Sequence, residues 1–190
     1  MKKKIAIFAS GSGTNFEALA AACENNLIDA EISLLICDKK KAYVIERAKN
    51  HNIPAYVFSP KDYASKEEYE ELIVEKLEEH NVDLICLAGY MRIVGYVLLR
   101  KYEGKIINIH PALLPAFKGA HGIEDAFNYG VKVFGVTIHY VDSGIDSGKI
   151  IAQRAFEYKE GDSLEDVERK IHEIEHELYP EVVARLVKGE

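Results

Sequence analysis

The chain has 190 residues, of which 31 are Asp or Glu and 24 are Lys or Arg, so its formal net charge is −7. With 48% hydrophobic and 29% charged residues it has the composition of a soluble globular protein, which excludes a disordered or low-complexity chain. This length predicts a single domain, residues 1–190. The acidic balance argues against a nucleic-acid partner held nonspecifically through its phosphates.

The cysteines and the N-terminus indicate the compartment. Three cysteines, Cys23, Cys37 and Cys86, are too few and too widely spaced for a disulfide framework. The lysines at positions 2–4 precede an apolar run of five residues, Ile5–Ala9, which is shorter than a secretion signal requires. No run approaches the roughly 18 apolar residues of a membrane span. The sequence therefore predicts a cytoplasmic protein with no membrane partner.

Short apolar runs alternate with helical patterns along most of the chain. Continuous apolar runs are typical of parallel strands that are covered on both faces. Their alternation with helices predicts parallel strands joined by right-handed crossovers. The predicted strands are Ile5–Ala9, Ile32–Cys37, Ala55–Phe58, Leu84–Ala88 and Ile106–Ile109, and the predicted helices between them are Asn15–Asn25, Ala42–Asn50 and Lys66–His80.

The pattern changes near the C-terminus. Two β-rich runs, Val133–Val141 and Ile150–Tyr158, are separated only by the loop 142–148, and they predict an antiparallel extension of the sheet. The predicted fold class is α/β: a doubly wound, mostly parallel, Rossmann-like sheet of about seven strands with an antiparallel extension near the C-terminus. In such a sheet, ligands bind at the carboxyl ends of the strands.

A last helix is predicted to begin after Ser163, which has capping-box spacing to Asp166. Pro180 is expected to end or kink this helix. The segment His172–His176 matches the H-E-x-x-H zinc pattern, but catalytic zinc needs a third protein ligand, usually well downstream, and the chain ends at Glu190. The match is attributed to chance in a helix rich in Glu, and no metal is predicted.

A glycine-rich loop, residues 10–15 (SGSGTN), lies between the first strand and the first helix. Glycines allow a sharp turn, and N–H groups at a helix N-terminus point at an anion, so the loop is able to hold a phosphate. Phe16 stands where a dinucleotide fingerprint needs its third glycine, which counts against that class of site. The alternative is a tight turn in which Thr14 or Asn15 caps the helix, and the residues alone leave both interpretations open.

Asn108 and His110 are candidate catalytic residues. They lie two residues apart at the end of an apolar strand, so their side chains share a face. Pro111 stops strand pairing beyond them, which leaves both at the edge where ligands bind. An amide donor beside an imidazole suits the stabilisation of an oxyanion and the movement of a proton. A hydrogen-bonded structural histidine is the alternative.

Two nearby segments also carry alternatives. Residues 111–122 are too rich in proline for a strand and too apolar for an ordinary exposed loop, so they form either a lid over a substrate or a packed connection. Asp142 and Asp146 lie in the loop between the two late strands. Either one is able to pair with His110, and either one also suits plain turn chemistry beside glycine.

Five segments carry a family resemblance across essentially the whole chain. They are residues 10–15 (SGSGTN), 87–93 (LAGYMRI), 108–115 (NIHPALLP), 142–148 (DSGIDSG) and 175–180 (EHELYP). Together they resemble the phosphoribosylglycinamide formyltransferases, the folate-dependent glycinamide ribonucleotide transformylases of purine biosynthesis and one-carbon metabolism. The Asn-x-His-Pro segment and the later Asp are shared with all formyltetrahydrofolate hydrolases and transferases, whereas the glycine loop and the last segment are more particular to the glycinamide enzymes.

The resemblance implies a formyltransferase fold, two small-molecule substrates and no metal. An amine of glycinamide ribonucleotide would attack the formyl carbon of 10-formyltetrahydrofolate. Asn108 and protonated His110 would stabilise the oxyanion, and Asp146 would keep His110 charged and relay a proton. The ribonucleotide phosphate would contact Gly11, Ser12, Gly13, Thr14 and Asn15, and Glu175 would contact the glycinamide amine. The folate would contact Lys66, Met91, Arg92, Ile93, Val94, Asn108, Tyr140, Val141, Asp142 and Asp146.

Four positions depart from the family pattern, and two of them, Ala112 in place of a common Ser and Lys118 in place of a common Pro, lie in the segment 111–122. Lys66 stands where an Arg is expected to face the folate tail, and His172 stands where Gln is usual, near the substrate amine. At position 66 a point charge replaces a bidentate fork, so we expect a change in affinity more than in reaction type. The assembly is predicted to be a monomer or a homodimer.

Four alternatives compete with this function. Formyltetrahydrofolate hydrolase is expected to carry an additional N-terminal domain, and methionyl-tRNA formyltransferase a C-terminal RNA-binding domain, whereas this sequence begins at its first strand and ends after one domain. A nucleotide-binding oxidoreductase, with Asp38 recognising a ribose, leaves Asn108 and His110 without a task. A non-catalytic binder of a phosphorylated ligand predicts that His110→Ala leaves affinity intact with no turnover to lose.

Overall fold

One seven-stranded sheet runs through the computed structural model, which describes all of residues 1–190. The strands are β1 (Lys3–Ala9), β2 (Ala30–Cys37), β3 (Ala55–Val57), β4 (Leu84–Leu87), β5 (Ile106–His110), β6 (Val133–Tyr140) and β7 (Ile150–Glu157). They lie in the order β3-β2-β1-β4-β5-β6-β7. The first five pair in parallel, whereas β6 is antiparallel to β5 and β7 is antiparallel to β6. The predicted mixed sheet is confirmed.

Six α-helices cover the sheet. They are α1 (Thr14–Glu24), α2 (Val44–Asn50), α3 (Lys66–Glu79), α4 (Tyr96–Lys101), α5 (Gly122–Tyr129) and α6 (Leu164–Val187), and a short 3-10 helix spans Pro60–Asp62. The elements predicted from the sequence are confirmed, apart from the end of the last helix, with ends that differ by no more than two residues. Helices α4 and α5 were not predicted, because 6 and 8 residues are too few to show a clear helical period. No helix has the length and apolarity needed to cross a membrane.

Both faces of the sheet are buried, which explains the continuous apolar runs. Along β1, Ile5 and Ile7 belong to one hydrophobic cluster, which includes buried residues of α1 and α6. Ala6 and Phe8 point the other way, into a second cluster with α3 and α4. This alternation is what a doubly wound sheet requires of a central strand.

Pro180 was expected to end or kink helix α6, and of these two outcomes the ending is wrong, because the helix continues through Pro180. Proline has no N–H, and the carbonyl four residues earlier loses its helical donor, at a cost of about 3 kcal/mol. Val182 and Val183 lie beyond Pro180 and are 0% exposed. Burying such a side chain contributes roughly 1.5–3 kcal/mol, so the two valines offset the proline. The predicted capping box of Ser163 and Asp166 is present at the other end.

Tyr179 fastens α6 to the carboxyl end of β4. Its hydroxyl is fully buried and donates a hydrogen bond of 2.8 Å to the carbonyl of Leu87. Burial raises the pKa of Tyr179 well above its usual value, so the hydroxyl stays protonated and remains a donor. The contact joins the C-terminal helix to the strand that leads into the 87–93 segment.

We expect Tyr179→Phe to destabilise the fold by about 1–2 kcal/mol, because it removes the donor from a buried carbonyl while keeping the ring. Urea unfolding of both proteins measures the difference. Tyr129→Phe is the matched control, since Tyr129 is 81% exposed and its substitution should leave the midpoint unchanged. Equal midpoints for the Tyr179→Phe variant and the parent would contradict this assignment.

The connectivity decides where a ligand would bind. From β1 the chain builds outward through β2 and β3, then returns to the other side of β1 to form β4 and β5. The loops that follow β1 and β4 therefore leave the sheet side by side and diverge. A crevice at such a point of reversal is the usual ligand site of this architecture.

Candidate functional site

A cavity of about 620 Å³ opens at this point of reversal, a volume typical of small-molecule sites. It brings together most of the residues proposed from the sequence. These are Gly11, Ser12, Gly13, Thr14, Asn15, Met91, Arg92, Ile93, Val94, Asn108, His110, Val141, Asp142, Asp146 and Glu175. Segments far apart in the chain thus converge on one volume.

Lys66 and Tyr140 lie outside the cavity lining. Lys66 Nζ donates to the carbonyl of Ile93 at 2.9 Å, so it supports the loop after β4. The backbone N–H of Tyr140 donates to the carbonyl of Lys149, at the end of β6. In this structure, both residues hold cavity-forming segments instead of facing the cavity.

Asn108 and His110 lie on β5 and meet a third polar residue that the sequence analysis missed. The antiparallel register of β5 and β6 places His139 opposite Asn108. Asn108 Nδ2 and His139 Nε2 are 3.3 Å apart, and His139 Nδ1 donates to the carbonyl of Tyr140 at 2.8 Å. With its proton on Nδ1, His139 accepts from the Asn108 amide and so fixes which way that amide points.

His110 is held from both sides. Its Nε2 donates to the carbonyl of Phe117 at 2.8 Å, and its Nδ1 faces Asp146 Oδ2 at 3.6 Å. Asp146 Oδ1 lies 3.8 Å from His139 Nε2, so this carboxylate stands between two imidazoles. Because Nε2 is engaged by the backbone, Nδ1 is the nitrogen of His110 that remains for chemistry.

The structure resolves the choice between the two aspartates. Asp146 faces His110, whereas Asp142 accepts from the hydroxyl of Ser147 at 2.7 Å and from the N–H of Gly144 at 2.9 Å. The bond from Ser147, followed by that from Gly144, lowers the pKa of Asp142. Asp142 therefore shapes the turn that presents Asp146.

The segment 111–122 has two parts with different roles. Near its start, the Thr137 hydroxyl donates to the carbonyl of Ala112 at 2.7 Å and accepts from the N–H of Leu114 at 3.1 Å, as in a packed connection. Further on, the Gly119 N–H donates to Asp146 Oδ2 at 2.8 Å, while Phe117 accepts from His110. Residues 117–119 therefore hold both members of the His110–Asp146 pair.

Two of the five non-glycine residues with a positive φ lie at this pair, and the other three are asparagines, which tolerate that conformation better. Phe117 and Asp146 have φ angles of 53° and 49°, in the left-handed region that costs a non-glycine residue about 1 kcal/mol or more. These two residues are the ones that face the nitrogens of His110. Strain of this kind persists only where surrounding contacts enforce it, and it is common at functional sites.

The loops after β1 and β4 are joined through a buried carboxylate. Asp38 is 2% exposed, accepts from the Ser10 hydroxyl at 2.5 Å and accepts from Arg92 Nε at 3.1 Å. Ser10 Oγ also accepts from the N–H of Met91 at 2.9 Å. Both carboxylate oxygens are engaged within the protein, which argues against the ribose-binding role weighed for Asp38.

The glycine loop has no side-chain cap. Gly13 is the N-cap of α1 with φ of 78°, so the proposed capping by Thr14 or Asn15 is wrong. A Cβ on Gly13 would lie 2.4 Å from Val44 Cγ2, a distance that no real contact allows. Asn15 Oδ1 is buried beside the cavity and has no partner in the protein, as expected of a group that awaits a ligand.

A charged cluster supports this loop from behind, and the sequence analysis missed it. Arg47 Nε donates to the carbonyl of Ser12 at 2.7 Å, and Arg47 Nη1 lies 3.1 Å from Glu17 Oε1. His51 bridges Glu17 and Glu24. Burial lowers the pKa of His51, but the bonds to Glu24 and Glu17 outweigh it, so that the pKa lies above its usual value of 6.5.

His51→Gln should cost stability only when the histidine is charged in the parent. A folded-state pKa above the unfolded value stabilises the protein fully below the unfolded pKa, and the effect disappears as pH rises through the folded value. The difference in unfolding free energy between parent and variant should therefore shrink from about pH 6 to about pH 8.5. His80→Gln is the control, because His80 makes no ion pair, and a parallel loss there would refute the link.

The cavity-facing side of α6 presents Glu175 and His172. Glu175 Oε1 lies 2.7 Å from His172 Nδ1. The His172 and His176 rings stack at 6.4 Å with an interplanar angle of 17°. No cluster of three or more His, Cys, Asp or Glu side chains is arranged to hold a metal ion. The zinc-like spacing thus contributes a carboxylate–imidazole pair to the cavity.

This arrangement has counterparts among known proteins. The family model described as "Formyl transferase" matches residues 3–183. The chain belongs to the formyl transferase family. The predicted family and the predicted formyltransferase fold are both confirmed.

Two relatives and one solved structure show how similar the chain is to individual proteins. The chain is 53% identical over 185 residues to phosphoribosylglycinamide formyltransferase of Bacillus subtilis (strain 168), which covers 97% of this chain and 95% of the relative. It is 40% identical over 188 residues to the trifunctional purine biosynthetic protein adenosine-3 of Gallus gallus, covering 99% of this chain and 19% of that protein. The glycinamide ribonucleotide transformylase 1 structure from Geobacillus kaustophilus matches with a TM-score of 0.96 at 51% identity, over 98% of this chain and 100% of that chain.

Proposed function

We propose that the protein transfers a formyl group from 10-formyltetrahydrofolate to the amine of glycinamide ribonucleotide, as one formyltransferase domain in purine biosynthesis. The observation that carries the proposal is the cluster of Asn108, His110 and Asp146 in a cavity that also contains a glycine loop for an anion. Relatives that are 53% and 51% identical over nearly the whole chain bear the names of this enzyme, which supports the choice of substrates.

The ribonucleotide phosphate is assigned to the glycine loop. The N-terminus of α1 offers backbone N–H groups and the positive end of a helix dipole. Arg47 Nε donates a hydrogen bond to the carbonyl of Ser12, so this carbonyl oxygen is turned away from a bound anion. Asn15 Oδ1 supplies an unpaired acceptor for a hydroxyl or amide of the same substrate.

The folate is assigned to the opposite end of the cavity, between the loops after β4 and β6. Met91, Ile93 and Ile145 are exposed apolar side chains at this end, and an aromatic ligand would cover them. Arg92 uses Nε on Asp38, which leaves the terminal guanidinium nitrogens for a carboxylate of the folate tail. The fit supports a folate-type formyl donor.

The proposed reaction is an acyl transfer through a tetrahedral intermediate. The substrate amine attacks the formyl carbon, a new C–N bond forms, and negative charge develops on the formyl oxygen. Asn108 and protonated His110 stabilise that charge, with His110 acting through Nδ1 because Phe117 engages Nε2. Asp146 accepts a proton from the amine through water, and His110 donates one to N10 of tetrahydrofolate as the old C–N bond breaks.

The deciding experiment measures tetrahydrofolate release from 10-formyltetrahydrofolate with and without glycinamide ribonucleotide. We expect release that depends on the ribonucleotide, together with a product heavier by one formyl group in the mass spectrum. Release without the ribonucleotide would support the hydrolase. No tetrahydrofolate release in either reaction would favour a different formyl acceptor or a non-catalytic binder.

Asn108→Ala and Asp146→Asn should each lower the rate of the chemical step by about 100-fold or more, because each removes an oxyanion donor or a proton partner. Single-turnover kinetics on the folded variants measure that step directly. Asp29→Asn is the control, since Asp29 is exposed, lies outside the cavity lining and should retain the parent rate. A parent-like rate in either catalytic variant would remove that residue from the mechanism.

Gly13→Val should raise the KM for the phosphorylated substrate at least about tenfold more than the KM for the folate. The new side chain meets Val44 and displaces the loop that is assigned to the phosphate. Gly130→Ala is the control, because Gly130 has a similar φ of 88°, no atom lies within 4 Å of its Cβ position and it is not part of the cavity lining. Equal effects on both KM values would show that the loop is only structural.

A further inference from the structure

Glu175 is a nearly buried carboxylate, 5% exposed, that faces the cavity from α6. One of its oxygens, Oε1, is bonded to His172 Nδ1 at 2.7 Å. Its other oxygen makes no hydrogen bond within the protein. His172 lines the same cavity, and about half of its side chain is exposed there. Glu175 therefore has one oxygen that is bonded to His172 and one oxygen that is free to accept from a ligand in the cavity.

We infer that His172 is a substrate-positioning residue, which holds one oxygen of Glu175 so that the other oxygen faces the amine of the acceptor substrate. This inference rests on the proposed function, because it needs an amine at that end of the cavity. A carboxylate on a long side chain has several rotamers, and a bond to one oxygen removes most of that freedom before the substrate arrives. His172 acts through Glu175, so it is expected to affect binding of the amine substrate more than the chemical step.

The charges around His172 favour its protonated form. The hydrogen bond that His172 donates to Glu175 raises the pKa of His172, burial opposes this increase, and the charges of Glu175 and Glu168 add to it. The stacked ring of His176 behaves in the opposite way, because burial and the nearby charges of His172 and Arg47 lower its pKa. The two histidines of the zinc-like spacing therefore carry charge over different pH ranges.

The pH dependence is set by the charge of His172. Below its raised pKa, His172 is an imidazolium that makes a charge-assisted hydrogen bond to Glu175, roughly twice as strong as a neutral one. As pH rises through that pKa, the His172 ring loses its charge and its hydrogen bond to Glu175 weakens. The advantage of the parent over a variant with an uncharged side chain at position 172 should therefore be larger at low pH.

Steady-state kinetics test this with His172→Ala and His172→Gln. We expect His172→Ala to raise the KM for glycinamide ribonucleotide about tenfold, with kcat and the folate KM changed less than about twofold. His172→Gln should restore much of the binding, because an amide can also donate to Glu175, but it should lack the pH dependence. The ratio of kcat/KM between parent and His172→Gln should fall from about pH 6 to about pH 8.5. The substrate amine titrates identically in both enzymes and cancels from the ratio.

Glu173→Gln is the matched control, because Glu173 is the exposed neighbour of His172 on the same helix and its change removes one charge. It should leave the KM values and the pH profile unchanged. A pH-independent ratio between parent and His172→Gln, or an unchanged ribonucleotide KM in His172→Ala, would overturn the inference.

A second measurement does not depend on the proposed function. NMR titration of the His172 ring in the free protein should give a pKa above the usual value, and Glu175→Gln should lower it. If this holds but no ribonucleotide-dependent formyl transfer occurs, the pair is real and the proposed substrate is wrong. If transfer occurs but Glu175→Gln leaves the pKa of His172 unchanged, the proposed function stands and the positioning role of His172 is refuted.

Discussion

The structure depends most on the carboxylate of Asp146. Its two oxygens lie near the imidazoles of His110 and His139, and Oδ2 accepts the N–H of Gly119. Three separate segments, β5, β6 and residues 117–119, are thereby held around one negative charge. The Asp146 side chain is only 14% exposed, so its carboxylate needs a nearby donor, and the Gly119 N–H supplies one while His110 Nδ1 lies close to the same oxygen.

The rest of the fold forms the cavity in which these contacts are made. Reversal of strand order beside β1 sends the loops after β1 and β4 apart, and the antiparallel β6 returns His139 to the side of Asn108. Tyr179 then draws the C-terminal helix against β4, which brings Glu175 over the cavity. Two loops that line the cavity are each supported by a cation outside its lining, the glycine loop by Arg47 and the loop after β4 by Lys66.

Local patterns predicted much of this. Apolar runs identified the strands, the position of Asn108 and His110 before a proline placed them at the ligand edge, and the order of the motifs indicated the family. The contributions of His139 and Arg47 could not be predicted, because they depend on strand register and on a helix packed against a loop. The sequence left open whether α6 ends or bends at Pro180, because the rule for proline is local, whereas the burial of Val182 and Val183 that favours continuation is a property of the whole core.

The buried link from Ser10 through Asp38 to Arg92 has a consequence for how the two substrates affect each other. Ser10 belongs to the glycine loop, whereas Met91 and Arg92 belong to the loop after β4, and all three are joined by hydrogen bonds. Under the proposed assignment of one substrate to each loop, ordering of one loop by its ligand would lower the entropic cost of ordering the other. Thermodynamic linkage would make that cooperativity reciprocal, so that each substrate would tighten the binding of its partner by the same factor.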